Sequence, residues 1–480
     1  MSGNTTSVQW RKHVPLLGVL LLLFSAGPYI SRVPWYDEVL TLNWLVYPFS
    51  QIPFRYTIPN NHIFYTMCLS LWESLMGMFG VYGTLILRIL SLIFGVCTVW
   101  IIARRMRRIH SVFAQVSLLI LFAGCCTMNL FSTALRGYMP AMLFCFSAFL
   151  MAERWMKMNQ KRTFFFYLIF CYCSVLTIPT NLLSIGGGLL FLLPLGLRSG
   201  KEFFRLFALG AGALFAFVCA YLPIFRKFLR VAAIKEGWYS YADFSWNYYG
   251  TLCFLFFPLL LFCFAGTVQM FRKRPLRFRA LSFCGVFLIP LILGLLFQAA
   301  PFPRVFVPLF PIFVLILCYE LSFFLRRKHG MLQKLPLLLS VIWLLLMPHI
   351  SGSVSKWMFQ EHYRDDLLMP YPMTISFQPQ RTARILAEAY KTSRIEYVFV
   401  DFDADPPSLE YQLLGYDVPQ NIVLKDRPDR GPVQQLSPGV WIVCRDDITF
   451  QRVKKRFDLK GNYRILPETL HLYQKIYVPE

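Results

Sequence analysis

Two adjacent carboxylates, Asp37 and Glu38, follow the first long apolar run of the chain. Acidic side chains are scarce here, since only eight of the 25 Asp and Glu residues precede residue 351. A carboxylate just outside a membrane-length segment is placed to act as a general base that takes a proton from a hydroxyl or amine. The alternative is a pair of solvated loop acids or helix-capping residues. The same pair is the only candidate for a divalent cation, the one cofactor left open, although two carboxylates without a third ligand bind such ions weakly.

Further polar residues stand at the predicted outer ends of apolar runs. An arginine between apolar segments is costly and usually has a partner, which singles out Arg136 and Arg304. A guanidinium at headgroup level can bind a phosphate through two hydrogen bonds, whereas the alternative for both arginines is a simple interfacial anchor. His62 shares a loop with the two acids. The basic and aromatic segment 226–241, which contains Tyr239, is either a headgroup contact or a lid over a sugar phosphate.

The composition predicts a polytopic α-helical membrane protein. The chain has 480 residues, is 56% hydrophobic and has a mean hydropathy of +0.51. Apolar runs of about 17–22 residues, the length that crosses a hydrocarbon core, recur from residue 14 to residue 350. About eleven spans are predicted: 14–30, 84–103, 112–130, 138–153, 163–179, 182–197, 203–223, 250–271, 280–298, 305–325 and 335–350.

The charge distribution predicts the orientation. Residues 1–350 hold 31 basic and 8 acidic side chains, whereas residues 351–480 hold 17 of each. The basic excess falls mostly in short clusters between spans, as the positive-inside rule describes for cytoplasmic loops, and not in the basic stripe of a nucleic-acid-binding domain. We therefore expect an inner (plasma) membrane protein with a cytoplasmic N-terminus. Residues 31–83 form an outer loop in this scheme, in which 63–79 lies flat as an interfacial helix.

The chain divides into two predicted domains. Residues 1–350 form the transmembrane domain. Residues 351–480 are charged and rich in proline, and they form a small extracytoplasmic α/β domain. Within it, 380–391 has a helical pattern, and 397–400, 440–443 and 471–478 have strand patterns.

Four motifs occur in the order found in a known family. They are Asp37-Glu38 after the first span, Asn61-His62 before the interfacial helix, Leu135-Arg136-Gly137-Tyr138 after the third span, and Arg304 ahead of Pro308 and Pro311. Together they resemble the GT-C glycosyltransferases of the protein mannosyltransferase type (glycosyltransferase family 39 and its bacterial relatives), which include enzymes that add aminoarabinose to lipid A. The resemblance covers about residues 10–330. It departs at Ile63, where the family often has proline.

The resemblance implies an inverting hexosyl or pentosyl transfer on the extracytoplasmic face. The donor would be a polyprenyl-phosphate sugar, and the acceptor a glycan, a lipid or a protein. Asp37 would be the catalytic base and Glu38 its neighbour. The substrate-binding residues would be Asn61, His62, Arg136, Tyr138, Tyr239 and Arg304, with Arg304 on the phosphate.

The competing hypothesis is a flippase or transporter for lipid-linked sugars without transferase chemistry. Ion-coupled transporters usually carry acids near the bilayer midplane. The acids of the spans, Glu153, Glu202 and Glu320, fall instead at predicted cytoplasmic ends, which argues against ion coupling. A passive flippase needs no such acid and stays open.

Overall fold

A computed structural model describes most of the chain. The described residues are 4–54, 62–109, 111–232, 239–297, 299–300, 303–326, 328, 330–359, 377–392, 394–395, 397–401, 404–416, 418–419, 422–424, 435–436 and 440–480. In chain order the helices are α1 (Asn4–Ile30), α2 (Tyr36–Leu45), α3 (Ile63–Gly77), α4 (Thr84–Met106), α5 (Val112–Gly124), α6 (Cys126–Thr133), α7 (Tyr138–Met158), α8 (Lys161–Thr177), α9 (Asn181–Gly196), α10 (Gly200–Tyr221), α11 (Phe225–Ala232), α12 (Tyr241–Arg272), α13 (Arg274–Phe297), α14 (Phe310–Leu325), α15 (Met331–Phe359), α16 (Pro379–Lys391), α17 (Pro406–Leu413) and α18 (Asp447–Arg456).

Contacts divide the chain into two compact units. Unit 1 comprises Met1–Ser31 and Leu45–Met369, and unit 2 comprises Arg32–Trp44 and Pro370–Glu480. The acidic motif therefore groups with the C-terminal residues and not with the helices that flank it in sequence. The predicted domain boundary at residue 350 falls inside α15, which continues to Phe359.

Unit 1 is a bundle of apolar helices. An apolar segment that leaves water must satisfy its own backbone groups, and a helix does so within one segment. Six helices of the described chain are long and apolar enough to cross a membrane: Lys12–Ile30, Thr84–Met106, Gly200–Leu229, Asn247–Arg272, Phe306–Leu325 and Met331–Ile350. Four more predicted spans also form helices, although these are not among the six: 138–153 (α7), 163–179 (α8), 182–197 (α9) and 280–298 (α13). The polytopic fold is confirmed, and the number of eleven crossings stays a prediction.

The predicted span 112–130 is broken in the structure. Its two halves, α5 and α6, meet at Cys125 with a bend of 53°. A break frees backbone carbonyls, and the Asn129 amide donates to the carbonyl of Gly124 at 3.1 Å. The Asn129 side-chain oxygen accepts in turn from the Ser25 hydroxyl at 2.8 Å. The break ends α5 at Gly124, and α6 then leads into the short connection that carries Arg136.

Unit 2 contains a five-stranded sheet. Its strands lie in the order β4 (Val423–Leu424), β3 (Val398–Val400), β5 (Trp441–Cys444), β7 (Lys475–Pro479) and β6 (Tyr463–Ile465), whereas β1 (Tyr239–Ser240) and β2 (Ala299–Ala300) form a small antiparallel pair in unit 1. Strands β4, β3 and β5 are parallel, and β7 is antiparallel to both of its neighbours.

Both faces of the larger sheet are covered. Side chains alternate between the faces of a strand, so Val398 packs with Leu386 and Leu409 on one face, and Ile442 packs with Phe450 on the other. The predicted helix and the predicted strands at 397–400 and 440–443 are confirmed. The strand predicted at 471–478 begins later, at residue 475, and β4, β6, α17 and α18 were not predicted.

Candidate functional site

The two carboxylates begin α2 in unit 2. Asp37 and Glu38 lie in its first turn, where the unpaired backbone N–H groups of a helix stabilise negative charge. Asp37 is 5% exposed and Glu38 is fully buried. The interpretation as solvated loop acids is therefore wrong. Buried carboxylates need partners, and the neighbouring residues supply them.

Glu38 forms an ion pair with an arginine six residues earlier. The Arg32 Nη2 donates to Glu38 Oε1 at 2.9 Å, and both side chains are almost fully buried. The guanidinium also stacks over the Trp35 ring, with its carbon 4.6 Å from the ring centroid. This pairing neutralises Glu38 and fixes the start of α2. In the described chain, no three His, Cys, Asp or Glu side chains cluster in a manner that would hold a metal ion.

An aspartate of the C-terminal domain holds the start of α2. The Tyr36 backbone N–H donates to Asp405 Oδ2 at 3.0 Å. The other oxygen of Asp405 accepts from the Ser408 N–H at 3.2 Å, and the residue caps α17 in the left-handed region, with φ 58°. Burial raises the pKa of the Tyr36 phenol to about 12, with further contributions from Asp37 and Asp405. Asp405 thus connects the acidic turn with the sheet domain.

The predicted His62 is buried in unit 1, where it precedes α3. It is 4% exposed, and its ring meets the Tyr138 ring edge-on with centroids 5.1 Å apart. The Gly137 backbone N–H donates to His62 Nδ1 at 2.7 Å, and Arg136 Nη2 lies 3.1 Å from His62 Nε2. A β-carbon at position 137 would come within 2.5 Å of Nδ1, so only glycine allows this approach.

These contacts define the tautomer of His62. A neutral imidazole has one donor and one acceptor nitrogen, and a backbone N–H can only donate. Both contacts ask the ring for an acceptor, because an arginine can only donate; the Gly137 contact is the shorter, at 2.7 Å against 3.1 Å, so we assign the acceptor to Nδ1 and the proton of the neutral ring to Nε2. The Nε2–H and the Arg136 Nη2 are then two donors that face each other. His62 and Arg136 therefore present two donors to the same region. Two adjacent donors favour the binding of an anionic oxygen. In this tautomer the Nε2 of His62 acts as a hydrogen-bond donor and not as a base.

Burial and two nearby arginines disfavour the protonated form of this imidazole. Arg136 is fully buried in the short connection between α6 and α7, and Arg304 lies in a 3-10 turn, Pro303–Leu309, that packs against α7 and α9. Burial lowers the pKa of His62 well below its usual range, and the charges of Arg136 and Arg304 lower it further. The structure thus brings together His62, Arg136, Tyr138 and Arg304, which the sequence predicted as one group.

Hydrogen bonds from neighbouring helices hold the connection that carries Arg136. The hydroxyls of Tyr65 and Ser91 lie 2.7 Å apart, and the Ser91 hydroxyl donates to the Ala134 carbonyl at 2.5 Å. Arg88, which the sequence did not single out, is buried and donates to the last carbonyl of α1, that of Ile30, at 2.9 Å. An arginine inside an apolar helix was the signal that could have identified it.

The last two predicted residues are only partly described. Asn61 lies outside the described residues. The backbone of Tyr239 pairs with Ala300 in the β1–β2 ladder, shortly before Arg304. This pairing places the backbone of residues 239–240, the described end of the predicted lid segment, beside residues 299–300.

Comparisons with known proteins show the fold of the chain. No protein-family model matches it, and no curated protein matches it. Among solved structures it is similar to ArnT from Cupriavidus metallidurans in the apo state, with 12% sequence identity and a TM-score of 0.52 over 99% of this chain and 98% of that chain. This likeness shows that the two chains share one fold over nearly their whole lengths, the polytopic helical bundle and the C-terminal domain included.

The described contacts predict the protonation state of His62. We expect imidazole ¹⁵N NMR of the purified protein to show a neutral ring protonated on Nε2 that stays neutral as the pH falls below about 6.5, the usual pKa of histidine, because burial and two arginines disfavour the cation. His62→Gln assigns the signal.

Gly137→Ala should disturb this state, because the added methyl displaces the ring from the Gly137 N–H and from the buried site. The pKa of His62 should then rise toward its usual range. Gly186→Ala is the matched control, because a β-carbon there meets no neighbour within 4 Å. A wild-type His62 that titrates near pH 6.5 would contradict the assignment.

Proposed function

We propose that this protein is an integral-membrane glycosyltransferase of the GT-C type. Its donor is a polyprenyl-phosphate sugar, its acceptor is a glycan, a lipid or a protein, and it acts on the extracytoplasmic face of the inner membrane. The observation that carries the proposal is the group of hydrogen-bond donors formed by the buried His62 and Arg136 and the partly buried Arg304. The ArnT-like fold supports a membrane transferase with a lipid-linked donor.

The reaction requires an anion site of this kind. The acceptor oxygen or nitrogen attacks the anomeric carbon, the bond from that carbon to the phosphate oxygen breaks, and polyprenyl phosphate leaves with both bonding electrons. A single displacement inverts the anomeric centre. Negative charge builds on the departing phosphate, and preorganised donors in a site shielded from water stabilise it. Arg304 is assigned to this phosphate, and Arg136 and the Nε2–H of His62 complete the set of donors.

The attacking group must lose a proton, which we assign to Asp37. The Glu38 carboxylate pairs with Arg32 at 2.9 Å. Glu38 instead fixes the first turn of α2 and so orients its neighbour. A base held on a rigid helical turn contributes through both proton transfer and position.

Replacement of Asp37 tests the role of the base. Asp37→Asn should lower transfer by at least about a hundredfold, since the amide cannot take the proton while its shape is nearly unchanged. The measurement uses purified protein, a panel of radiolabelled polyprenyl-phosphate sugars and sugar release or transfer as the readout. It also identifies the donor.

The control is Glu73→Gln, which removes an exposed acid of the same predicted outer loop and should leave turnover unchanged. Thermal melting of all variants separates catalysis from folding. Full turnover by Asp37→Asn would remove Asp37 as the base. Binding of a lipid-linked sugar without turnover by the wild type would favour a flippase.

A second prediction concerns the C-terminal domain. In Asp405 the Oδ1 atom accepts from the Ser408 N–H, and Oδ2 accepts from the Tyr36 N–H and the Ser408 hydroxyl. Asp405→Asn keeps one oxygen, so the three hydrogen bonds cannot all remain, and asparagine tolerates the left-handed backbone. The start of α2 should loosen, so kcat should fall about tenfold while KM for the donor stays unchanged.

The matched control for Asp405→Asn is Asp446→Asn. Asp446 caps α18 of the same domain and accepts from Thr449, with no described hydrogen bond to α2. Equal losses in the two variants would indicate general damage to the domain. An unchanged kcat in Asp405→Asn would show that the hydrogen bond to Tyr36 does not position the base.

A further inference from the structure

A second basic site lies at the other end of α7 from Arg136. There the last turns of α4 and α7, together with Lys12 of α1, line a cavity of about 920 Å³. Along α7, Leu150 is the first residue of the cavity lining, so about 18 Å of helix separates the cavity from Tyr138. Charge asymmetry assigns this end of the bundle to the cytoplasm. The cavity is therefore distinct from the candidate active site.

The single acid that lines the cavity is fully engaged. Arg105 donates to both oxygens of Glu153, at 3.0 Å and 2.8 Å, and Lys157 donates to Oε1 at 2.8 Å. The Arg105 guanidinium also donates to the Tyr319 hydroxyl at 3.2 Å. The side chains of Arg105 and Lys157 thus neutralise the Glu153 carboxylate, and the three residues form one hydrogen-bonded cluster. The other basic side chains of the lining can therefore contact an anionic ligand.

That excess charge is considerable. Apart from Arg105 and Lys157, which pair with Glu153, the basic lining residues are Lys12, Arg104, Arg107, Arg108 and Arg154. Arg104, Arg108 and Arg154 are exposed, and no other acid of the described chain lines the cavity. Arginines grouped in this way recognise phosphate, because each guanidinium offers a planar set of donors.

The remaining wall is apolar. Trp100, Ile101, Leu150 and Met151 line it, and Trp100 is 40% exposed. A free phosphate or a soluble metabolite would not contact the apolar wall. An amphiphile can place its charged group among the arginines and its apolar chain against that wall. Basic pockets between membrane helices on the cytoplasmic side are suited to anionic lipid headgroups.

We infer that this cavity binds one anionic phospholipid of the inner leaflet. The phosphate lies among Arg104, Arg108 and Arg154, and an acyl chain follows the apolar wall beside Trp100. A general attraction of basic loops to the membrane would need only scattered charges. A cavity with a single neutralised acid and an apolar wall points to a discrete site.

Native mass spectrometry of the full chain in detergent tests this site, with dioleoyl phosphatidylglycerol as the probe. The wild type should bind one molecule more tightly than the rest, and more tightly than dioleoyl phosphatidylcholine. The combined variant Arg104→Gln/Arg108→Gln/Arg154→Gln should weaken this first binding step by about a hundredfold, because each basic residue near the surface contributes severalfold. Met151→Trp fills the apolar wall without changing charge and should also weaken it.

The matched control removes three arginines from another basic helix junction at the same end of the bundle. Arg272→Gln/Arg274→Gln/Arg279→Gln should bind phosphatidylglycerol like the wild type. An equal loss in this control would reduce the effect to general electrostatics and overturn the discrete site. Unchanged binding in both cavity variants would also overturn it. Complete displacement of the lipid by millimolar inorganic phosphate would replace the lipid with a soluble anion.

Discussion

A charged side chain buried among apolar residues is stable only when an opposite charge or a set of hydrogen bonds compensates for the water it has lost. This constraint determines most of the informative contacts in the structure. Glu38 is buried because Arg32 pairs with it, and Glu153 is buried between Arg105 and Lys157. Around His62, the charges of Arg136 and Arg304 act on a buried, neutral imidazole. An apolar bundle that concentrates donors in one buried place is suited to receive an anion.

Much of the fold follows from local pattern. The lengths of the apolar runs predicted the helices of unit 1, since a helix is what an apolar segment forms away from water. The β-branched and aromatic runs around Val398 and Ile442 predicted the central strands. The break at Cys125 was not predictable in this way, because Asn129 and Ser25 stabilise it from positions far apart in sequence. The short strands β4 and β6 have too few residues to show an alternating pattern.

The site was predictable in its residue types but not in its contacts. An arginine between apolar segments is rare enough that Arg136 and Arg304 stood out, and their order along the chain grouped them with His62. Nothing in the sequence pointed to Asp405, which contacts Tyr36 across 369 positions. Gly137 was part of a predicted motif, yet its role as the donor that selects the tautomer of His62 depends on a three-dimensional approach. Long-range contacts of this kind have no local signature.

The central claim is that the protein transfers the sugar and releases its lipid carrier. The most direct measurement is ³¹P NMR of the purified protein in lipid vesicles with a polyprenyl-phosphate sugar and acceptor lipids or glycans. The phosphodiester signal of the donor should be replaced by the phosphomonoester signal of polyprenyl phosphate, in step with formation of the glycosylated product. Movement of intact donor across the bilayer, with the phosphodiester signal unchanged, would contradict the transferase and leave a flippase.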